Sequence, residues 1–149
     1  RICQPIGQDE LIIKTPSLRE RALGVLEGLT YQEIKDTLPR DYEQHTSGDP
    51  NYKPDGGESW IETQDRVKEA LNEIAENHHN EKILCVTHGG IVSMLLRFCL
   101  NIPLNEKRKF TIPNTGINIF EHRDEAGWRL RTWGDISHFN EGEILDEML

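Results

Sequence analysis

The sequence predicts an α/β protein, a three-layer sandwich in which a mostly parallel sheet carries helices on both faces. Segments with helical periodicity alternate with short β-rich segments along the chain. The apolar segment Lys82–Thr87 is followed by two glycines and then by the apolar segment Ile91–Leu100, which gives the order buried strand, turn, buried helix. Two further β-rich segments, Ile117–Phe120 and Trp128–Trp133, flank a turn at Asp124–Gly127 and predict a hairpin closing one side of the sheet.

Two weaker elements precede the middle of the chain. Leu11–Lys14 alternates as a short strand does. Thr30 and Glu33 have the spacing of a capping box, in which each side chain binds the other residue's backbone N–H. This predicts a short helix over Thr30–Leu38.

A surface loop and a longer helix come next. Ser, Gly, Asp, Pro and Asn cluster over His45–Gly57, which predicts a loop without regular structure. Glu58 or Ser59 then caps a helix that ends near Glu76–His79. The apolar residues of this helix recur near helical spacing: Ile61, Val67, Leu71, Ile74 and Ala75.

Length and charge indicate one acidic domain. The 149 residues are enough for a single hydrophobic core, which we assign to residues 1–140, with an acidic tail over 141–149. The net charge of −9 and the lack of a cluster of Lys and Arg argue against nucleic-acid binding. No apolar run approaches the roughly 20 residues that a membrane span needs. Three cysteines without a CxxC spacing favour a reducing compartment, and we expect a cytoplasmic protein.

A histidine at the end of the predicted buried strand is the first candidate for chemistry. His88 is followed by Gly89 and Gly90, which allow a tight turn and a close approach of a ligand to the backbone. The N-terminus of the following helix attracts anions, and an imidazole beside it can donate a hydrogen bond to a phosphate oxygen. The alternative is that His88 only caps the helix or binds a neighbouring carbonyl.

A charged segment earlier in the chain is the second candidate. Glu20 lies between Arg19 and Arg21 in a segment rich in apolar residues and glycine. A carboxyl group beside two guanidinium groups has the composition of a general acid near an arginine-bound phosphate. A solvated cluster of ion pairs is the alternative.

Taken together, four motifs resemble those of the histidine phosphatase (phosphoglycerate-mutase-like) superfamily. They occur in the family's order, with family-like spacing, from Leu18 to about Phe120. They are LRERxxGxxEG at Leu18–Gly28, PDGGES at Pro54–Ser59, THGG at Thr87–Gly90 and PNTG at Pro113–Gly116. The LRER form is similar to the phosphatase branch, whereas the mutases read more like LNER. The expected fold is therefore phosphoglycerate-mutase-like.

The resemblance implies a role for four residues. Glu20 matches the proton donor that protonates the leaving oxygen, and His88 matches the second histidine, which binds the transferring phosphoryl group. Gly89 matches the position whose backbone N–H contacts phosphate. Arg21 is expected to contact the body of the substrate.

Other motif positions and the cofactor requirement follow from the same resemblance. Glu58 and Asn114 fall at motif positions, where we expect structural or supporting roles. No metal and no cofactor are implied, because imidazoles, arginines and a carboxylic acid supply the nucleophile and the charge stabilisation. The adjacent pair His78 and His79 faces different ways on a helix and is predicted to be exposed rather than metal-binding.

In the family the nucleophile is a first histidine in an Arg-His-Gly motif on the first strand, and no Arg-His-Gly occurs in these 149 residues. We therefore expect a domain that is incomplete at its N-terminus, with Arg1–Gly7 as the end of a helix. A neighbouring strand would then expose apolar side chains, and the chain would self-associate.

The predicted function is a phosphomonoester hydrolase that works through a phosphohistidine. Its expected partner is a small phosphorylated metabolite such as a sugar phosphate or a phosphoglycerate, and a homodimer is possible. Two alternatives stay open: phosphoryl transfer of the phosphoglycerate mutase type, and a non-catalytic module that binds phosphate or another protein.

Overall fold

The computed structural model describes residues 12–139, so the predicted tail and Arg1–Gly7 lie outside the described residues. Within that range the chain forms helices first and a hairpin last. The elements are α1 (Tyr31–Thr37), α2 (Pro39–Ser47), α3 (Trp60–Asn77), α4 (Gly89–Cys99), β1 (Ile117–Arg123) and β2 (Gly127–Asp135). Two short 3-10 turns, Pro16–Leu18 and Gly24–Leu26, precede α1.

Capping boxes begin α1 and α3; the sequence predicts the box at Thr30 and, for α3, a cap at Glu58 or Ser59. Thr30 accepts the N–H of Glu33 at 3.3 Å, and the Glu33 carboxylate accepts the N–H of Thr30 at 2.8 Å. Ser59 and Glu62 repeat this exchange at 3.1 and 2.9 Å. Each box satisfies backbone donors that have no partner inside the helix, which fixes where the helix begins. The predicted end of α3 is also confirmed, at Asn77.

The predicted loop over His45–Gly57 is wrong for its first three residues, which belong to helix α2. The chain is helical to Ser47, and irregular structure begins only at Gly48. Pro39 at the first turn and Gly48 as a left-handed C-cap, with φ 80°, mark the two ends. The helix is mostly polar and buries none of its side chains, so no apolar segment indicated it in the sequence.

The hydrophobic core lies mainly between α3 and α4. The two helices pack against each other, and α4 also contacts β2. The buried residues of the core are Leu18, Val67, Ala70, Leu71, Ile91, Met94 and Leu95. Because Leu18 belongs to this core and its 3-10 turn packs against α3, the charged segment that follows it is anchored to the core. None of the helices within residues 12–139 has the length and hydrophobicity of a membrane span.

The C-terminal hairpin is confirmed. Strands β1 and β2 pair antiparallel, with Phe120 opposite Leu130 and Arg123 opposite Gly127. The turn is closed by a hydrogen bond of 3.0 Å from the N–H of Ala126 to the carbonyl of Arg123.

The predicted parallel sheet is not formed by the described residues, whose sheet has two antiparallel strands. Lys82–Thr87 lies outside that sheet, and its apolar side chains are exposed rather than buried, Leu84 by 73%. The predicted strand Leu11–Lys14 is also wrong, because residues 12–14 have no regular secondary structure. Leu11 lies outside the described residues. A β-rich segment forms a strand only when a neighbouring strand pairs with its backbone. Within residues 12–139 no strand pairs with Lys82–Thr87.

Candidate active site

The charged segment and the start of α4 come together, although they are about seventy residues apart in the sequence. Glu20 accepts the backbone N–H of Gly90 at 3.2 Å through one carboxylate oxygen and that of Arg21 at 3.0 Å through the other. Thr87 reinforces the contact, because its hydroxyl donates to the carbonyl of Leu18 at 2.6 Å. Two of the sequence-predicted site residues, Glu20 and His88, are thereby brought to the same end of α4.

Gly90 makes this approach possible. A Cβ built on Gly90 would overlap Oε1 of Glu20. Any side chain at this position would therefore displace the carboxylate. The second glycine of the THGG motif is a packing requirement of Glu20, whereas a Cβ on Gly89 would meet open space.

His88 is the N-cap residue of α4 and has extended backbone angles, φ −110° and ψ 159°. Its carbonyl accepts the N–H of Val92 at 3.0 Å, which begins the helix. The exposed imidazole makes no side-chain capping bond, so His88 caps α4 through its backbone alone. The ring stands at the positive end of α4, where an anionic group is stabilised.

Two segments that carry motifs, Leu18–Gly28 and Pro54–Ser59, lie side by side. The N–H of Val25 donates to the carbonyl of Asp55, and the N–H of Glu58 donates to the carbonyl of Ala22, both at 2.9 Å. Gly24 has a positive φ of 53°, and a Cβ there would overlap the backbone of Asp55. The glycine of the LRERxxG motif is therefore required by contact with the PDGGES turn.

Glu58 connects the charged segment to α3. Its carboxylate accepts from Arg19 Nη2 at 2.8 Å and from Arg66 Nε and Nη2 at 3.0 Å each, and it also accepts the N–H of Ala22 at 3.1 Å. Arg66 extends to the carbonyl of Ser17 at 2.8 Å. Arg19 is thus held in an ion pair, as the ion-pair alternative predicts for this segment.

These contacts keep Glu58 ionised. The hydrogen bonds from Arg19 lower the pKa of Glu58 to about 2, against the opposing effect of burial and with further lowering from Arg66 and Ala22. A carboxylate that stays ionised, and whose two oxygens already accept these hydrogen bonds, cannot serve as a proton donor at neutral pH. Its contacts are those of a structural support for the neighbouring Glu20. Arg66 escaped sequence reasoning, because an arginine on an amphipathic helix carries no signal of its partner.

Arg21 is almost entirely buried, with 6% of its surface exposed. Its guanidinium lies 4.0 Å from the ring centroid of Trp60, and Nη1 donates to the carbonyl of Glu58 at 3.1 Å. Burial lowers the pKa of Arg21, while the negative charges of Glu20 and Glu58 oppose that shift. The buried Nε has no hydrogen-bond partner within the described residues.

Asn114 lies in the turn that leads into β1, where Gly116 donates to the carbonyl of Pro113 at 3.0 Å. His78 lies 3.0 Å from Glu81 and takes no part in the arrangement around Glu20. Within residues 12–139 no three His, Cys, Asp or Glu side chains come together as ligands for a metal.

Comparison with known proteins gives the family. The sequence model of one protein family, the histidine phosphatase superfamily (branch 1), matches residues 2–136. The chain belongs to this superfamily, which confirms the resemblance drawn from the motifs.

Two relatives from Arabidopsis thaliana are similar over most of the chain. "Phosphoglycerate mutase-like protein 4" is 35% identical over 135 residues, which are 90% of this chain and 57% of that relative. "Metal-independent phosphoserine phosphatase" is 32% identical over 87% of this chain and 52% of that relative. The chain therefore spans little more than half the length of these two proteins.

Solved structures of similar fold also match the chain. Bacillus stearothermophilus YhfR superposes with a TM-score of 0.74 at 29% identity, covering 84% of this chain and 62% of that chain. A mycobacterial glucosyl-3-phosphoglycerate phosphatase superposes with a TM-score of 0.63 at 24% identity, covering 81% and 63%. The described residues therefore share the fold of phosphoglycerate-mutase-like proteins, although they form only a two-stranded sheet.

Proposed function

We propose that this protein hydrolyses small phosphomonoesters through a phosphohistidine intermediate. The observation that carries the proposal is the position of the Glu20 carboxylate, which lies against the N-terminus of α4 next to His88. A carboxyl group at that position lies beside a site suited to an anion, which supports a role as proton donor. The names of the relatives, among them a metal-independent phosphoserine phosphatase, support the reaction class.

In the first half of the proposed reaction, a histidine nitrogen forms a bond to phosphorus while the bond from phosphorus to the ester oxygen breaks. Glu20 gives its proton to the leaving oxygen, so that the product departs as an alcohol. His88 and the backbone N–H of Gly89 hold the equatorial oxygens of the phosphoryl group, where negative charge is concentrated. In the second half, Glu20 accepts a proton from water, which attacks phosphorus and releases inorganic phosphate and the free imidazole.

The nucleophilic histidine of this proposal lies outside the 149 residues, which contain no Arg-His-Gly. The greater length of the two plant relatives supports this assignment, since they extend well beyond the matched region. The substrate is proposed to be a small metabolite such as a sugar phosphate or a phosphoglycerate. We also propose a cytoplasmic location, because Cys85 and Cys99 are both free thiols.

Phosphate release by the protein at its native length tests the proposal. A panel of phosphomonoesters is incubated with EDTA present, alongside His88→Ala. We expect metal-independent release that the substitution lowers by roughly two orders of magnitude, as removal of one charge-stabilising donor does. Absence of release from every ester would overturn the hydrolase assignment.

Phosphoryl transfer of the mutase type is the second candidate, favoured by the relative named as phosphoglycerate mutase-like. It shares the phosphohistidine and differs in the acceptor of the phosphoryl group. Incubation with a labelled ester followed by acid and base treatment detects the acid-labile intermediate. Label that appears in a second phosphoglycerate rather than in inorganic phosphate identifies the mutase.

A further inference from the structure

Arg66 on α3 binds the backbone that leads to Glu20. Its Nη1 donates to the carbonyl of Ser17 at 2.8 Å and to that of Arg19 at 3.1 Å. Its Nε and Nη2 donate to the carboxylate of Glu58 at 3.0 Å each. Arg19 directly precedes Glu20 in the chain. One guanidinium therefore binds a carboxylate and two carbonyls of the segment that carries the proposed proton donor.

Arg66 ties this segment to the hydrophobic core. The next residue of α3, Val67, is completely buried, and the Arg66 side chain itself is 18% exposed. A guanidinium holds its donors in one plane, so hydrogen bonds to three different residues define its orientation as well as its position. The backbone before Glu20 is thereby held at a defined place relative to α3.

The carboxylate of Glu20 depends on this backbone for its own position. The residue is exposed, and its carboxylate accepts the N–H groups of Arg21 at 3.0 Å and of Gly90 at 3.2 Å. Arg21 is its neighbour in the chain, so within residues 12–139 the hydrogen bond to Gly90 is the one that joins the carboxylate to α4. That bond is at the long end of the usual range, and a small shift of the segment would break it.

We infer that Arg66 is a positioning residue for Glu20, which places the carboxylate against the N-terminus of α4 by binding the carbonyls of Ser17 and Arg19. The inference rests on the proposed function, in which that carboxylate is the proton donor. Arg66 acts through the backbone and does not touch the reacting atoms. A displacement of about 1 Å in a reacting group can lower a rate by roughly a hundredfold, so this role has a measurable effect on turnover.

Arg66→Lys in the native-length protein tests the role, because it keeps the charge and removes the planar fork. An ammonium is a compact donor that cannot serve Glu58 and both carbonyls in this geometry. We expect kcat for alkyl phosphates to fall by roughly tenfold to a hundredfold, and kcat for p-nitrophenyl phosphate to fall much less, because its leaving oxygen needs little protonation. Arg66→Gln, whose amide can still donate to one carbonyl, replaces this variant if the lysine variant does not fold.

A second substitution shows whether the loss passes through Glu20. In a protein that already carries Glu20→Gln, Arg66→Lys should lower kcat further by no more than about twofold, because the group that it positions can no longer give a proton. Equal factors in the two backgrounds would mean that Arg66 supports the fold in general, and would overturn the inference.

Hydrogen exchange of the Gly90 amide, measured by NMR, reports the position of the carboxylate without turnover. This N–H lies in the first turn of α4, where it has no partner inside the helix, so the Glu20 carboxylate is the acceptor that protects it. We expect Arg66→Lys to speed its exchange about fivefold, since an ordinary hydrogen bond contributes roughly that factor. Glu20→Ala sets the limit of an unprotected amide. The amide of Val92, which donates to the carbonyl of His88, should keep its rate.

Arg97→Lys is the matched control. Arg97 is 5% exposed, and its guanidinium donates to the carbonyls of Pro103 at 2.6 Å and Glu106 at 2.8 Å. It lies in the last turn of α4, at the opposite end of the helix from Glu20. The substitution should lower the melting temperature while leaving the exchange of Gly90 and the ratio of the two kcat values unchanged.

The outcomes separate this inference from the proposed function. If esters are hydrolysed and Arg66→Lys leaves the exchange of Gly90 unchanged, or Arg97→Lys changes it equally, the positioning role is wrong and the hydrolase stands. If the exchange of Gly90 responds to Arg66→Lys alone while no ester is turned over, Arg66 positions the carboxylate and the hydrolase fails.

Discussion

Two glutamates in this site, Glu58 and Glu20, differ in the groups that donate hydrogen bonds to them. Glu58 accepts hydrogen bonds from two guanidinium groups and one backbone N–H. Glu20 accepts only backbone N–H groups and forms no ion pair within residues 12–139. The first carboxylate holds segments together, whereas the second has no guanidinium partner within those residues, which agrees with its proposed role as proton donor.

Replacing Glu20 with Gln is expected to lower kcat by roughly a hundredfold or more, because the amide cannot give a proton to the leaving oxygen. The effect should be greatest for alkyl phosphates, whose leaving oxygens need that proton, and smaller for p-nitrophenyl phosphate. Steady-state kinetics on both esters measures this difference. Glu43→Gln, an exposed substitution on α2, is the control. An equal loss on both esters would count against Glu20 as the proton donor.

Replacing Glu58 with Gln is expected to destabilise the fold at pH 7 by on the order of 2 kcal/mol, allowing for the solvent exposure of Arg19. The folded pKa of about 2 lies below the ordinary value of 4.5. The stabilisation is thus fully present above pH 4.5 and is lost as the pH falls towards 2.

Urea unfolding of both proteins at pH 7, 5 and 3 measures this dependence. The difference between wild type and Glu58→Gln should be nearly constant between the first two values and smaller at the third. A difference that does not change down to pH 3 would mean that the two arginines do not stabilise the folded protein through the charge of Glu58.

At the scale of the elements, the start of α4 depends on a residue without a side chain. Gly90→Ala would place a Cβ where Oε1 of Glu20 lies. Alanine favours a helix over glycine by about 1 kcal/mol, so stability should not fall. We expect an activity loss close to that of Glu20→Gln with an unchanged or higher melting temperature.

Kinetics and thermal unfolding of Gly90→Ala separate the two effects. Full activity would show that the carboxylate can move without consequence. A large fall in melting temperature would instead indicate that the contact between Glu20 and α4 supports the fold rather than the reaction.

For the whole molecule, the important feature is apolar surface outside the core. Ile13 is 81% exposed, Leu84 is 73% exposed and Val86 is 60% exposed. Apolar side chains in an unpaired β-rich segment favour association with another chain. The homodimer stays a proposal for the longer protein, and this surface supports self-association of the 149-residue chain.

We expect the 149-residue chain to self-associate at micromolar concentration, because association removes these side chains from water. Sedimentation velocity measures the mass distribution. Leu84→Lys should shift it towards the monomer, while His79→Lys, a substitution at an exposed position before the segment, should not. A monomeric wild-type chain that unfolds cooperatively would contradict the prediction.

Local sequence determined the features that depend on neighbouring residues. The capping box at Thr30, the cap before α3, the end of α3 and the hairpin turn all use contacts within a few residues, so their patterns suffice to predict them. The motifs that contain Glu20 and His88 were also visible in the sequence and gave the family.

Only the tertiary structure decided which distant groups meet. The pairing of Glu58 with Arg19 and Arg66, the contact of Glu20 with Gly90 and the ring contact of Tyr31 with His45 join residues from separate elements. The same holds for Lys82–Thr87, whose composition predicts a buried strand and whose exposure reflects the lack of a pairing neighbour within residues 12–139. Composition sets a preference for a conformation, and partners supplied by the rest of the fold satisfy its backbone groups and remove its side chains from water.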